Sequence, residues 1–584
     1  MLLLLLCVEA INTIKNEPKR YPLRILIKNV VGIFMTCKEA VYSEQALEYI
    51  IGNYRGEEYA REVYNPDCYM AYDDFQAVIY QEVPDITSQN IEKYGYSAIP
   101  HVYGLMNDEA LEASGVLQIR RQPTLDLYGQ GVLLGFVDTG ILYDHEAFIN
   151  ADNTTRIISL WDQTIQTGDG NEQFPYGQIF ERQQLNEALA AADPYAIVPS
   201  RDEIGHGTFL AGVAAGNENR EEDFSGVATL SDLVVVKCKQ AKNSYRRHYG
   251  IPADVPAFQE NDIMAGIAYI LSVARRENKQ VVICLGMGTN LGNHNGGSQL
   301  SVFMDRYTAF TGVAMITAVG NEGNARHHHR ILEREETIDI SVEDDLEGFT
   351  SELWWRTPGG LELDLISPSG EVVEEIRAVS GTRRRHRFTP ENTTVDVYFG
   401  VSLETTREQV GVFRFIEPKA GIWKIRTRFD YDVPNFHIWL PIRQFLTEEV
   451  VFLAPDPDTT VCNPSTGSDM ISVSAYDVSD ESLYLQASRG FTPLGNVKPE
   501  VVAPGVNLRG PAPRGRYVTM TGTSVSAALA AGIGALFMQQ YRDYGVSGIA
   551  LREIFIRGAM PEGEPFPNTE WGFGIVNAYE SVIL

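Results

Sequence analysis

The sequence predicts an α/β protein that contains an additional all-β region. Three observations lead to this prediction. Residues 131–140 form an apolar run of the buried-strand type that ends in an acid. Residues 206–212 and 522–535 are rich in small residues and each begins beside a polar side chain, which indicates two buried helices. Between these helices, residues 361–365 and 423–427 alternate strictly between apolar and polar side chains, as half-buried strands do.

Composition limits the classes of protein to consider. The chain has 584 residues, enough for several domains, and a hydrophobic content of 44% excludes a largely disordered protein. Asp and Glu number 77 against 48 Lys and Arg, and the net charge of −29 argues against a nucleic-acid partner. The six cysteines are scattered and form no Cys-x-x-Cys pair. We therefore expect free thiols and a reducing or non-secretory origin.

The N-terminal residues leave two interpretations open. Residues 1–8 are apolar, but they are too few to span a membrane, and no basic residue precedes them as in a signal peptide. We therefore expect no membrane span. Residues 1–34 are either a non-native extension, from a start codon assigned too far upstream, or a genuine targeting segment. Sequencing the N-terminus of the natural protein decides between them.

Residues 35–97 are too many for a linker and predict a small α+β domain. Residues 43–54 can form an amphipathic helix, and residues 71–83 have the alternation of a strand. Residues 94–100 suit an extended tail, because Pro100 disfavours helix just before it.

Three side chains in this chain match the roles of acyl transfer. Asp138 stands at the C-terminal end of the first predicted strand, where a ligand site opens in a parallel sheet. His206 and Ser524 each begin a predicted helix. Together they supply an orienting carboxylate, a general base and a hydroxyl nucleophile. The helix start at Ser524 also offers free backbone N–H groups to a developing oxyanion.

These motifs resemble those of the subtilisin-like serine proteases. The resemblance implies a parallel sheet with helices on both faces, a triad of Asp138, His206 and Ser524, Asn321 as the oxyanion-hole amide, and no cofactor. Ala528 replaces a proline that is usual in the family, a change that adds no steric block. The matching segments are Asp138-Thr139-Gly140, His206-Gly207-Thr208, Gly320-Asn321-Glu322-Gly323, Gly522-Thr523-Ser524 and residues 498–506 and 571–578.

The same resemblance implies a substrate strand and a propeptide. The stretch that would pair with an extended substrate backbone is Leu285, Gly286, Met287 and Gly288. Residues 35–97 would be a propeptide whose tail lies through the active site. We expect self-cleavage near Tyr96, Ser97 or Ala98, with the cleaved propeptide as one partner and a protein substrate as the other.

We predict no metal site. A short acidic connection, residues 217–224, stands where the family often carries a calcium loop, and a solvated turn is the simpler interpretation. Residues 327–329 are three consecutive histidines, which cannot all face one ion on regular structure, so we predict a solvated linker. The basic run 383–387 predicts an exposed hairpin rather than a docking site for an anionic partner. Residues 239–260 form a longer loop expected near the substrate cleft.

An inserted domain accounts for the long separation of Asn321 from Ser524. We predict a jelly roll over residues 330–456, similar to the sandwich domains of some proprotein convertases, with the protease domain in two parts, 98–329 and 457–584. Pro- and Gly-rich turns separate its strands. Its core would be filled by seven aromatic residues: Trp354, Trp355, Phe413, Phe415, Trp423, Phe436 and Trp439.

This domain plan resembles the Csp-type germination proteases of clostridial spores. The resemblance implies a zymogen that activates itself and then a spore-cortex-lytic hydrolase zymogen. It also implies a location in the spore or in the mother-cell cytoplasm, with secretion as the alternative. A general degradative protease and a binding or sensing pseudoprotease remain open. The intact triad and Asn321 favour an enzyme.

Overall fold

A computed structural model of the protein describes residues 36–583, except 53, 65, 67, 83–85, 87–92, 106–111, 123–124, 357–359, 403–407 and 431–435. The N-terminal segment 1–34 therefore lies outside the described residues. Among the helices that are described, none is both long and apolar enough to cross a membrane.

A small N-terminal unit precedes the main sheet. Its elements are α1 (Cys37–Tyr42), β1 (Ala46–Ile51), α2 (Glu57–Tyr64), β2 (Cys68–Ala71) and β3 (Ala77–Glu82). The three strands are antiparallel in the order β1-β3-β2. The strand expected in residues 71–83 is confirmed as β3, whereas the helix predicted over 43–54 is wrong. Every residue of β1 is buried, so this segment is a buried strand and not a half-exposed helix.

The expectation of free thiols is also wrong in part. Cys37 at the start of α1 and Cys68 at the start of β2 form a disulfide, with their Cα atoms 5.4 Å apart. The two are 31 positions apart in the chain, and only the packing of α1 on β2 brings them together. Cys238, Cys284 and Cys462 are free and buried.

The first part of the main domain alternates strands and helices. Its strands are β4 (Val102–Leu105), β5 (Val132–Asp138), β6 (Ile157–Asp162), β7 (Gln178–Glu181), β8 (Asp232–Lys237), β9 (Phe258–Gln259), β10 (Gln280–Leu285), β11 (Met287–Gly288) and β12 (Val313–Ala318). Its α-helices are α3 (Val116–Arg120), α4 (Arg182–Leu189), α5 (His206–Ala215), α6 (Asn243–Tyr249), α7 (Glu260–Glu277) and α8 (Gln299–Thr308). Short 3-10 helices lie at Tyr96–Ala98, Glu112–Ser114, Glu146–Phe148 and Pro194–Ala196.

Eleven strands follow, and they form two sheets around one apolar core. They are β13 (His328–Ile331), β14 (Glu335–Val342), β15 (Gly348–Arg356), β16 (Leu361–Ile366), β17 (Val372–Arg377), β18 (Arg383–Phe388), β19 (Thr393–Ser402), β20 (Glu408–Ile416), β21 (Gly421–Phe429), β22 (Phe436–Trp439) and β23 (Val450–Phe452). The sheet orders are β13-β22-β15-β20-β19-β18 and β17-β16-β21-β14-β23. A 3-10 helix, Arg443–Phe445, lies between β22 and β23. We call this two-sheet region the insert.

Five of the seven predicted aromatic residues fill the core of the insert, and two do not. Trp355, Phe413, Phe415, Trp423 and Phe436 share this core. Trp354 cannot join them, because successive side chains on β15 point to opposite faces. It packs with Trp439 in a second cluster that also contains Tyr49 of β1 and Tyr245 of α6. The N-terminal unit, the main domain and the insert thus meet in one shared apolar cluster.

The chain then returns to the main domain. Its last elements are β24 (Ile471–Asp477), β25 (Ser482–Leu483), β26 (Val501–Pro504), β27 (Leu508–Ala512), β28 (Arg516–Met520), α9 (Thr523–Gln540), α10 (Gly548–Gly558) and α11 (Ala578–Ile583). The main sheet has the order β25-β24-β12-β10-β5-β8-β6-β7, with β26 also on β24.

The main sheet confirms the predicted α/β fold. Its central pairs, from β24 through β12, β10 and β5 to β8 and β6, are parallel. Alternate side chains of β5 enter different cores: Leu134 packs with residues of α5 and α9, and Leu133 packs with residues of α7. Helices therefore cover both faces of the sheet, as parallel sheets require.

Candidate active site

Three separate elements deliver the predicted catalytic side chains to one place. Asp138 is the last residue of β5, His206 is the first residue of α5, and Ser524 is the second residue of α9. Both helices pack on the same face of the sheet, and all three residues are at most 2% exposed. The site opens at the carboxyl end of β5, as expected for a parallel sheet.

The three side chains form a hydrogen-bonded chain. His206 Nδ1 lies 2.7 Å from Asp138 Oδ1, and His206 Nε2 lies 3.3 Å from Ser524 Oγ. Asp138 Oδ1 also accepts from the backbone N–H of Thr139 at 2.8 Å, which fixes the carboxylate. The carboxylate therefore holds the proton of the imidazole on Nδ1, and Nε2 faces the hydroxyl as its base. The longer second distance is normal without substrate.

Asp202 anchors the start of α5, and sequence reasoning missed it. Its Oδ1 accepts from the N–H of Gly205 at 2.7 Å, and its Oδ2 accepts from the N–H and hydroxyl of Thr208 at 2.9 and 2.7 Å. These contacts satisfy helix N-terminal donors and so fix the direction in which His206 points. The signal available in the sequence was an acid just ahead of a helix start.

Gly207 explains how α5 approaches β5 so closely. Its N–H donates to Thr139 Oγ1 at 2.9 Å. A Cβ at this position would lie 2.3 Å from the carbonyl oxygen of Gly140 and 3.0 Å from Asp138 Cβ. Only glycine leaves room for the contact that sets the distance between Asp138 and His206.

Asn321 lies in the turn that follows β12, with its amide oxygen held by α9. Its Oδ1 accepts from the N–H and from the hydroxyl of Thr523, both at 3.2 Å, and Thr523 Oγ1 accepts from the N–H of Gly320 at 3.1 Å. The amide oxygen is therefore occupied, and the Nδ2 donors form the other end of the side chain. The Asn321 Nδ2 donors and the N–H of Ser524 at the helix start are the kind of groups that stabilise an oxyanion by hydrogen bonding.

The predicted substrate strand is paired with a segment of the chain itself. Met287 and Gly288 of β11 pair antiparallel with Leu105 and Gly104 of β4. On its other edge, β4 pairs antiparallel with β9. The strand β4 is thus the central strand of a three-stranded sheet, on the edge of the segment for which the sequence predicts pairing with a substrate.

Gly286 connects this strand to the catalytic groups, and Leu285 before it is the last residue of β10. A Cβ on Gly286 would lie 3.1 Å from Ser524 Cβ and 3.2 Å from His206 Cε1. Because β4 and β11 are antiparallel, β4 runs from Val102 to Leu105 in the direction of Gly286. Leu105 is therefore the end of β4 that lies nearer to Gly286.

Tyr96, Ser97 and Ala98, the predicted self-cleavage residues, are not brought to the nucleophile. They form a 3-10 helix ahead of β4, where the prediction had an extended tail. Ala98 packs in the shared apolar cluster with Leu47 and Tyr49 of the N-terminal unit. The extended segment begins only after this 3-10 helix, at Val102, the first residue of β4.

Residues 327–329 are not a solvated linker, so that prediction is wrong. The three histidines are at most 7% exposed, because β13 joins the sheet of the insert beside β22. The rings of His328, His437 and Trp439 are near-parallel and in mutual contact, with centroid distances of 5.0 to 5.4 Å, and His328 Nε2 lies 2.9 Å from His437 Nδ1. Burial holds the pKa of His328 well below its usual range and lowers the pKa of His437 to about 3. The described residues contain no cluster of three or more metal-ligating side chains.

Residues 239–260 contain α6 and contact the N-terminal unit. Lys242 Nζ donates to the carbonyls of Ala40 and Ala46, each at 2.8 Å, and pairs with buried Glu48 at 2.5 Å. The hydroxyl of Tyr245 accepts from the N–H of Glu48 and donates to its carbonyl. This segment therefore holds the N-terminal unit on the main domain.

The basic run at residues 383–387 lies on β18, paired with β19. Arg383 and Arg385 both form ion pairs with Asp396 on that neighbouring strand. The exposed-hairpin prediction is confirmed, since most of these side chains are exposed.

Comparisons with known proteins agree with this geometry. The Subtilase family model matches residues 129–343 and 454–574, more than half of the chain and on both sides of the insert. The chain therefore belongs to the subtilase family of serine proteases.

Individual relatives extend the comparison. The structure of the Clostridium perfringens CspB protease superposes with a TM-score of 0.71 and 28% identity, covering 81% of this chain and 98% of that one. The serine protease AprX of Bacillus subtilis is 33% identical over 22% of this chain and 33% of its own length. A C5a peptidase of Streptococcus pyogenes serotype M1 is 22% identical over 71% of this chain and 35% of its own. The chain spans about a third of the length of these two curated relatives.

Proposed function

We propose that the protein is an active serine endopeptidase, made as a zymogen that cleaves itself before it cleaves a protein substrate. The observation that carries the proposal is the hydrogen-bonded chain from Asp138 through His206 to Ser524, with Asn321 beside the nucleophile. An intact chain of this kind argues against a binding or sensing module with vestigial catalysis.

The reaction follows from the positions of these groups. Ser524 Oγ attacks the scissile carbonyl while His206 Nε2 takes its proton. The oxyanion of the tetrahedral intermediate is stabilised by Asn321 Nδ2 and the N–H of Ser524. His206 then gives the proton to the leaving amine, and the C–N bond breaks to leave an acyl-enzyme. A water molecule then attacks the carbonyl of the acyl-enzyme while His206 Nε2 takes its proton. The ester bond to Ser524 breaks, His206 returns the proton to Ser524 Oγ, and the carboxyl product leaves.

The N-terminal unit is the proposed propeptide. Support comes from β4, which continues this unit and lies between β9 and β11 in the substrate position. Because the tether keeps this strand at the nucleophile, its effective concentration is high and even a poor cleavage sequence should be processed. The direction of β4 favours a cut shortly after Leu105, downstream of the Tyr96, Ser97 and Ala98 site that the sequence predicts.

The insert is the proposed jelly roll, and the substrate is proposed to be the zymogen of a spore-cortex-lytic hydrolase during germination. The likeness to the CspB protease over almost all of that chain supports this substrate and a spore-associated or mother-cell location. Secretion and a general degradative role are the alternatives. The activation of a purified cortex-hydrolase zymogen by this protein, and not by its Ser524→Ala variant, would distinguish them.

Mass spectrometry of the purified protein beside its Ser524→Ala variant tests self-cleavage. Wild type should give two fragments, and the variant should remain one uncut chain. The mass of the smaller fragment locates the bond, either near residues 96–98 or after Leu105. An uncut wild type that hydrolyses peptides would overturn the zymogen proposal. An uncut wild type without hydrolysis would favour the binding module.

A further inference from the structure

Glu322, the residue after Asn321, has a carboxylate that is buried and held at both oxygens. The residue is 5% exposed. Its Oε2 lies 2.7 Å from His327 Nδ1, and its Oε1 accepts from the backbone N–H of Arg443 at 3.1 Å. A buried carboxylate with a donor on each oxygen is fixed in one conformation.

Both partners of Glu322 belong to the base of the insert. His327 directly precedes β13, the first strand of the insert, and Arg443 begins the 3-10 helix between β22 and the last strand of the insert, β23. The N–H of Leu440, just after β22, donates to the carbonyl of His327 at 2.9 Å, so these two segments of the chain are also bonded to each other. One side chain beside Asn321 therefore contacts two segments of the insert, one before its first strand and one before its last.

The turn around Asn321 is supported from two sides. On the side of α9, Thr523 holds Gly320 and the Asn321 amide oxygen. On the other side, the N–H of Glu322 donates to Ser488 Oγ at 3.1 Å, and the Glu322 carboxylate reaches the insert. Asn321 lies between these two supports, so its donors depend on both.

We propose that Glu322 is a positioning residue through which the insert fixes the oxyanion-hole turn. The insert then contributes to catalysis itself: displacing its base would move the Asn321 donors from the place where the oxyanion forms. Displacements of about 1 Å in such groups cost on the order of 100-fold in rate. This inference rests on the proposed role of Asn321.

A competing interpretation is that Glu322 contacts the substrate directly. An acid next to a protease cleft could attract a basic substrate side chain, and its removal would then change KM and the preference for Lys or Arg. The contacts argue against this role, because both oxygens already accept from donors of the chain itself. The two interpretations predict different kinetic parameters, which makes them separable.

Three substitutions in the full-length chain test the inference, and two more serve as controls. Glu322→Ala removes both contacts, and Glu322→Gln leaves an acceptor for one donor. Arg443→Pro removes the backbone donor to Glu322 together with the Arg443 side chain, which donates to Asn324 Oδ1 at 3.3 Å. Proline is compatible there, because Arg443 opens a 3-10 helix after Ile442 at φ −59° and ψ 148°. Arg443→Ala keeps that donor and serves as its matched control. Glu374→Ala, on an exposed position of β17, controls for the loss of a glutamate.

The readouts are kcat and KM for a short peptide, and the Ki of an aldehyde of the same peptide, whose adduct with Ser524 places an oxyanion in the hole. Glu322→Ala should lower kcat by about 10- to 100-fold and weaken the aldehyde in parallel, with KM within about twofold. Arg443→Pro and Glu322→Gln should lower kcat by smaller factors. The two control variants should stay within about twofold of wild type.

The outcomes separate this inference from the role of Asn321. Unchanged kcat in Glu322→Ala and Arg443→Pro, while Asn321→Ala lowers kcat, would overturn the inference alone. Unchanged kcat in Asn321→Ala would remove the oxyanion role on which it rests. A change confined to KM and to basic substrates would assign Glu322 to the substrate. If Glu322→Ala does not fold, as thermal unfolding would reveal, the same comparison is made with Arg443→Pro and Glu322→Gln.

Discussion

At the scale of single residues, the triad makes the strongest prediction. Ser524→Ala and His206→Ala should each reduce peptide hydrolysis by several orders of magnitude, because nucleophile and base act as one unit. Asp138→Asn should also be severe, since the amide no longer fixes the Nδ1 proton of His206. Measurement of kcat beside thermal unfolding checks this. Near-normal turnover by folded Ser524→Ala protein would place the nucleophile elsewhere.

Gly286→Ala should impair catalysis for a steric reason. The new methyl would lie 2.6 Å from Leu210 Cδ1 and 3.1 Å from Ser524 Cβ, so either the nucleophile or the substrate strand must move. We expect kcat/KM to fall at least about tenfold, as small misplacements of reacting groups do. Adding Leu210→Ala removes the shorter contact and should restore part of the activity. No change in Gly286→Ala would contradict the described spacing.

At the scale of elements, the stacked histidines of β13 and β22 predict acid sensitivity. Burial keeps His328 and His437 neutral in the folded protein, and the pKa of His437 falls to about 3. In the unfolded chain both protonate near pH 6.5, so the unfolded state binds more protons below that pH. The free energy of unfolding should be unaffected by these groups above pH 7. It should then decrease as pH falls from about 6.5 towards 4, by up to about 1.4 kcal/mol per pH unit for each histidine.

Denaturant unfolding of wild type and His437→Asn between pH 4 and 8 measures this effect. Below pH 6.5, the free energy of unfolding of the variant should change less steeply with pH, because unfolding then takes up about one proton fewer than in wild type. Above pH 7 the two profiles should run parallel. A slope in His437→Asn equal to that of wild type would show that His437 is not held neutral.

The elements also show how far the sequence alone predicts the fold. The strand β5 and the helix α9 could be predicted, because a continuous apolar run and a run of small residues are both visible in the local sequence. The residues predicted to be catalytic stand at their termini, Asp138 at the C-terminal end of β5 and Ser524 at the start of α9. The burial of His328 could not be predicted, since its partner His437 lies 109 positions away. The same holds for Asp202 and Glu322, whose roles depend on neighbours that only the fold supplies.

At the scale of the whole molecule, the N-terminal unit is held by a buried ion pair. Lys242→Ala would leave Glu48 buried without its partner, a loss that typically costs about 3–5 kcal/mol. We expect the cleaved N-terminal fragment to dissociate from this variant, where it stays bound to wild type. Native mass spectrometry after self-cleavage would detect the difference.

Lys38→Ala is the matched control, because Lys38 pairs with Asp169, whose side chain is 96% exposed. Surface pairs of this kind contribute little, so the fragment should remain bound in this variant. Equal retention in Lys242→Ala and wild type would show that the apolar cluster, and not the ion pair, holds the fragment.

The position of Ser524 near the C-terminal end of the main domain also determines when, during synthesis, the protein can first cleave a peptide bond. A ribosome completes the N-terminal unit, β4, the α5 helix with His206 and the whole insert before it reaches Ser524. A growing polypeptide can therefore fold its N-terminal unit and make β4, the partner of β11, before it has a nucleophile. The ability to cleave a peptide arises only when α9 packs on the sheet, so the order of synthesis postpones the first cleavage until the N-terminal unit, β4 and the insert have been made.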